Sequence, residues 1–305
     1  MYFKKLIILF FPIFLLSNDN LNVFDYYHES LCSVLVNTSN SIDDYFIEDN
    51  LSTSSTTYAE FSTLVAKESH SKLEKDIRFH LRLNLPKIQK NLRLYFEDES
   101  SDNLLYDGTA LDNEQWKNKN YYLRLEFLKY VKDEFNVRVG AGVRFRESHL
   151  VPYYNIRSNY GLYSKNKLDV TLYNRFRHYS DGEIENNFEV NSLYTITDDT
   201  LFMTFRNGLY YSSDESEETL SSSLSFIRLF NEKQQMTLGV GAVSTLDSFQ
   251  DYNLEYYYLQ STFHHLFYKD WLYYEVSPSI LKRESNDFDI SYRMLVKLGI
   301  YFKSK

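Results

Sequence analysis

One cysteine, four prolines and nine glycines are all that the 305 residues supply of those types. A lone Cys32 cannot make an internal disulfide, and no Cys/His cluster has zinc-ligand spacing. So little proline and glycine excludes a collagen-like or low-complexity chain. Beyond the N-terminus no apolar run approaches the ~20 residues of a helical membrane span, and mean hydropathy is −0.44. A polytopic helical membrane protein is therefore excluded. With 33 basic against 42 acidic residues the net charge is −9, which argues against nucleic acid as a partner. Glycine loops that cradle phosphate are absent, and the adjacent His264 and His265 would project to opposite faces of a strand. No metal and no cofactor is expected.

What the chain has in quantity is aromatic residues, 28 Tyr and 23 Phe. Its first 18 residues have the pattern of a secretory signal: Lys4 and Lys5, the apolar run Leu6 to Leu16, then Ser17. From Leu21 to about Glu48, Val23, Tyr27, Leu31, Val34 or Leu35, and Thr38 recur at steps of three and four, the period of an amphipathic helix. Such a helix has two placements, as a plug inside a barrel or leaning on its rim. The expected organisation is a signal at 1–18, a helix and linker at 19–54, and one β domain at 55–305.

From Thr57 the period becomes two. In Asp76 to Leu85 every odd position is apolar and every even one polar. In Phe135 to Arg146, Phe135, Val137, Val139, Ala141, Val143 and Phe145 face one way, and Asn136, Arg138, Gly140, Gly142, Arg144 and Arg146 the other. Alternation this long exceeds the usual globular strand of about five or six residues. It matches the roughly nine to eleven that a tilted strand needs to cross a bilayer. About fourteen such strands can be placed, within a range of about 12–16, so the predicted fold is all-β: an antiparallel transmembrane β-barrel with a short N-terminal helix. Tight connections such as Lys132-Asp133-Glu134 and Ser164-Lys165-Asn166 alternate with longer acidic ones such as Ser212 to Glu218. An even strand count puts both chain ends on the side of the tight turns. Tyrosine doublets at strand ends (Tyr121-Tyr122, Tyr153-Tyr154, Tyr210-Tyr211, Tyr273-Tyr274) fit aromatic girdles.

The last alternating run, Tyr292 to Phe302, resembles the closing strand of bacterial outer-membrane proteins, although Lys303-Ser304-Lys305 follow where a terminal aromatic is usual. The resemblance implies export to the bacterial outer membrane, with outer-membrane lipid and small solutes as partners.

Parity assigns the lumen. Opposite the apolar positions stand Arg78, Arg82, Arg93, Arg124, Arg138, Arg144, Arg146, Arg175, Arg177, Arg206 and Arg293. Glu97, Glu126, Asp169, Glu189 and Glu255 share that face, with Tyr95, Tyr173 and Tyr257. An arginine on the lipid face costs about 2–4 kcal/mol at mid-depth, so these residues are tolerated only inward. They suggest a narrow, water-filled channel for small, anionic solutes; the alternative is a closed barrel filled by ion pairs.

One segment suggests hydrolysis. His178-Tyr179-Ser180-Asp181-Gly182 puts His and Ser on one face of a strand end, with Asn191 on the next strand. The pattern is similar to the His-x-Ser-Asn-Gly motif of outer membrane phospholipase A. That resemblance implies Ser180 as nucleophile, His178 as general base and an orienting Asn. Asp181 stands where the motif has Asn, and Asn191 has the opposite parity to His178.

Overall fold

The alternation read above becomes geometry once each strand has one oily and one polar face, because only a closed sheet can present every oily face to one exterior. In the computed structural model, which describes residues 25–38, 57–69, 71–84, 92–98, 121–146, 149–197, 200–214, 217–247 and 251–303, a helix α1 (25–38) precedes fourteen strands. They are β1 (Tyr58–Glu68), β2 (Glu74–Asn84), β3 (Arg93–Asp98), β4 (Tyr121–Lys132), β5 (Phe135–Arg146), β6 (His149–Lys165) and β7 (Leu168–Tyr179). Then come β8 (Ile184–Thr197), β9 (Leu201–Ser212), β10 (Glu217–Asn231), β11 (Gln234–Asp247), β12 (Asp251–Tyr268), β13 (Leu272–Arg283) and β14 (Ile290–Lys303). Each strand pairs antiparallel with its sequence neighbours, and β1 pairs with β14 from Tyr58↔Lys303 to Glu68↔Arg293, closing the barrel. The expected signal, part of the expected helix, and the connections 85–91 and 99–120 lie outside the described residues.

Burial is inverted relative to a soluble domain. Along β4, Leu123 and Leu125 are 37% and 36% exposed while Arg124 and Glu126 between them are 1% and 3%. The same reversal gives exposed Phe61, Ile77, Phe145, Phe205, Phe226, Leu259 and Ile280 on the outer wall. A contiguous apolar exterior of this extent is matched by hydrocarbon, not water.

Among the described residues, hairpins at the end where β1 begins and β14 finishes are tight. The Asn166-Lys167 turn has both residues at positive φ (54° and 67°), which gives the hairpin the twist that two-residue loops require. At the opposite end Gly182 has φ 99°, a conformation that suits glycine.

Three inward glycines face a tyrosine directly across the ladder: Gly142↔Tyr153, Gly241↔Tyr258 and Gly299↔Tyr273. A methyl group on Gly142 would sit 2.8 Å from the Tyr153 ring, and one on Gly241 2.6 Å from the Tyr258 hydroxyl. Each tyrosine lies flat over a missing side chain and fills the wall of the lumen.

Two expectations are corrected here. Alternation sends only one member of each tyrosine doublet outward, so Tyr122, Tyr153 and Tyr273 are buried inside and only their partners can join a girdle. In β12 the pairing jumps from Ser244↔Leu254 to Val243↔Tyr256, a bulge at Glu255. It flips the phase, so Tyr256 and Tyr258 point inward and Tyr257, expected inside, is 41% exposed outside.

Candidate functional site: the inner wall

Facing positions on β4 to β8 build a dense network towards the end that carries Gly182. Arg144, 2% exposed, is bonded to Glu183 and lies 3.3 Å from Glu185; Arg177 donates to Glu185 at 3.1 Å. Both guanidiniums also stack on rings, Arg144 over Tyr179 at 3.7 Å and Arg177 over Tyr122 at 4.3 Å. Arg124 repeats the pattern deeper in the wall, 4.4 Å over Tyr95 and 3.5 Å from Glu126. Stacking and pairing together satisfy a guanidinium that has left bulk water.

A second cluster spans the closing seam. Glu68 accepts from Arg283 (3.2 Å), Arg293 (3.1 Å) and Ser291 (3.0 Å), and Arg293 also reaches Glu74 at 3.0 Å. Near the chain termini Lys297 lies 2.9 Å from Glu60, and His264 3.0 Å from Glu275.

Of the arginines assigned inward by parity, Arg78 pairs with Asp76 at 3.1 Å, Arg138 lies 3.8 Å from Glu126, and Arg206 lies 3.9 Å from Glu189. Arg93 pairs across the ladder with Glu126, and Arg82 with Tyr95. Arg175 is 3% exposed and Glu189 4%. The side chains of Arg146 and Glu97 lie outside the described residues. Sequence parity missed inward Arg157 and Arg283, although the run Tyr153, Asn155, Arg157 carries the signal. It also missed the carboxylates Glu60, Glu68, Glu74, Glu183, Glu185 and Glu275. Lys129 turns inward only because of a bulge at Phe127, where Glu126↔Gly140 is followed by Leu128↔Val139.

That bulge has a consequence. Lys129↔Arg138, Arg138↔Arg157 and Arg157↔Arg175 are successive cross-strand pairs, so four cations stand abreast on β4 to β7. At about 4.8 Å between strands the row is roughly 14 Å long. Lys129 is exposed although it faces inward, and the Arg138 and Arg206 side chains are 30% and 34% exposed, so this part of the lumen admits solvent.

The hydrolase residues are not assembled. His178 faces outward and stacks on Tyr154 with ring centroids 5.2 Å apart. Ser180 lies in the hairpin, its backbone N–H donating to the Pro152 carbonyl, and it makes no hydrogen bond to His178. Asn191 is inside, opposite Arg206 and Thr171. The outward Asn186 accepts instead from Asn174 at 2.8 Å.

Helix α1 sits on the rim. His28 Nε2 donates to the Tyr301 carbonyl at 2.7 Å, and its ring stacks between Trp271 (4.3 Å) and Phe302 (5.3 Å). Asp25 takes the Tyr268 hydroxyl at 2.9 Å and the Lys269 ammonium at 2.7 Å. The Lys269 hydrogen bond holds the Asp25 carboxyl below the usual carboxylate range, and the same bond raises Lys269.

No protein-family model matches the sequence, and no curated protein is similar to it. Solved structures do match. OprB of Pseudomonas putida aligns with 81% of this chain and 94% of its own, at 10% identity and TM-score 0.51. OmpT of Vibrio cholerae lacking loop L8 covers 81% of this chain and 99% of its own, at 12% identity and TM-score 0.48. At such identities the likeness is one of fold, an outer-membrane type of β-barrel.

Proposed function

We propose that the protein is a bacterial outer-membrane channel, a narrow passage for passive movement of small solutes in which anions are favoured. The observation that carries this reading is the row Lys129, Arg138, Arg157 and Arg175 across the inner wall, open to solvent at its Lys129 end and buried at Arg175. The barrel fold and apolar exterior support the membrane setting, and fourteen strands fall between side-chain-filled eight-stranded barrels and sixteen-stranded aqueous porins. Four cations abreast concentrate positive charge at one level of the wall, where Arg138 shares the single carboxylate of Glu126 with Arg124, so selectivity rests on this row rather than on the number of arginines. Single-channel recording on the purified protein in planar bilayers under a KCl gradient tests it. The expected reversal potential favours chloride and moves towards potassium in a Lys129→Gln, Arg138→Gln, Arg157→Gln variant. Cation preference in the unaltered protein would refute the row's role.

A second reading has its own support. Arg124, Arg144 and Arg177 are 1–2% exposed, the burial of a filled barrel. The absence of discrete conductance steps would favour a closed, structural barrel.

A further inference from the structure

Helix α1 contacts the barrel on its outside. Phe302, which stacks on His28, pairs with Ala59 on the outward face of β1, and Tyr268, which holds Asp25, pairs with the outward Leu272 after a bulge in β12. The helix therefore lies against the outer wall at the rim bearing both chain termini, not within the lumen.

Its surface divides into three. At 3.6 residues per turn each position advances by about 100°. Asp25, His28 and Cys32 form the side held by the barrel, with Val36 beside them. Glu29, Ser33 and Asn37 form an exposed polar side, with the exposed Tyr26 ring between Ser33 and Asn37 on the wheel. Tyr27, Leu31 and Val34 form a third side, and they are 61%, 50% and 54% exposed. The three sides are centred roughly 120° apart on the helical wheel. A helix wedged against a membrane protein at the water–lipid boundary meets three environments at once: protein, water and lipid. This helix carries one side suited to each.

We infer that α1 lies in the bilayer interface, with Tyr27, Leu31 and Val34 seated in the leaflet on the side of the chain termini. The occupant of the apolar side is thus lipid rather than a second protein or the barrel's own lumen. Continuity carries the choice. Phe302 and Tyr268, which the helix touches, belong to the lipid-facing wall, and the aromatic rings around the contact (Tyr26, Tyr27, Trp271) are residues favoured at the headgroup level. An in-plane amphipathic helix of low net hydrophobicity with an aromatic and aliphatic side is the form that binds such an interface. The inference rests on the barrel being embedded in a bilayer, but not on whether it conducts.

The test uses the full chain in phospholipid vesicles, on a Cys32→Ser background. A polarity-sensitive fluorophore is attached in turn through Leu31→Cys, Val34→Cys, Glu29→Cys and Ser33→Cys. Phe226→Cys on the outer wall reports that the barrel itself is inserted. Emission from positions 31 and 34 is expected to be blue-shifted and quenched by nitroxides on the lipid chains, as at 226. Positions 29 and 33 are expected to be quenched by aqueous iodide instead. Iodide quenching at 31 and 34, or protection there from both quenchers, would overturn the inference while lipid quenching at 226 persists. Loss of lipid quenching at 226 would instead remove the membrane setting itself. Because a label can disturb the site, a Leu31→Asp, Val34→Asp variant gives an independent reading. The barrel should keep its heat-modifiable migration, while protease accessibility of the helix in vesicles rises; unchanged protection would again refute the lipid contact.

Discussion

The Arg144 guanidinium lies 3.7 Å above the Tyr179 ring, and both side chains are almost wholly buried on the inner wall. Tyr179 fixes the cation from one face while Glu183 and Glu185 neutralise its edge. A buried charge held on several sides contributes chiefly through the penalty for removing any one of its partners.

Arg144→Ala strands the Glu183 carboxylate in the wall, while Glu185 keeps Arg177. Breaking a buried pair from one side costs about 3–5 kcal/mol. Urea titration of the protein refolded in vesicles should show that loss. Arg144→Met paired with Glu183→Gln should recover most of it, because Glu185 stays paired with Arg177 and no uncompensated charge remains.

Gly299→Ala drives a methyl group into the Tyr273 ring. Overpacking of this kind costs about 1–3 kcal/mol. The same substitution on a Tyr273→Ala background should cost much less, and the difference between the two unfolding free energies measures the contact. Equal costs in both backgrounds would show that the tyrosine does not fill the glycine's space.

Selectivity from the cation row should fade with salt. The screening length falls from about 10 Å at 0.1 M to about 3 Å at 1 M. The chloride preference measured across bilayers should therefore shrink towards unity over that range. A preference independent of salt would place the selective element in a tighter, dehydrated constriction.

Docking of α1 has an acid limit. The Asp25 carboxyl is held low chiefly by its hydrogen bond with Lys269, so the contribution of the pair is complete above the ordinary carboxylate value, about 4. It is lost as pH falls through the lowered value. Because Lys269 is raised, the alkaline loss begins only above the ordinary lysine value of about 10.4. Trp271 serves as energy donor to an acceptor at Asn37→Cys, in a Trp116→Phe, Cys32→Ser background. Transfer should hold steady from pH 5 to 9, within about the limits those values set, and fall in stronger acid. Lys269→Gln should weaken docking at neutral pH and flatten the acid limb.

Period-two alternation carried nearly all of the fold, because a strand with lipid on one face and water on the other has no freedom to vary its pattern. Asp76 to Leu85 and Phe135 to Arg146 read directly as β2 and β5. Bulges were not legible. At Phe127 and Glu255 one extra residue reverses the phase with no mark in residue type, so Lys129 was missed and Tyr257 misassigned. The partners of the arginines were only half legible, since Glu68, Glu183 and Glu185 come from strand ends and hairpins where alternation breaks off. Whether α1 enters the lumen or grips the outside depends on the outward phase of Phe302 and Tyr268, and no helical pattern in α1 itself encodes that.

The β1–β14 seam makes the finished object depend on its two extremes. Glu68 and Arg293 bond across 225 residues of chain. None of the rungs from Tyr58↔Lys303 to Glu68↔Arg293 can exist until the last strand has been made. Until then the sheet has two open edges and an unpaired acid at Glu68. Synthesis order therefore cannot be assembly order: the first strand must wait, unpaired on one side, for the last.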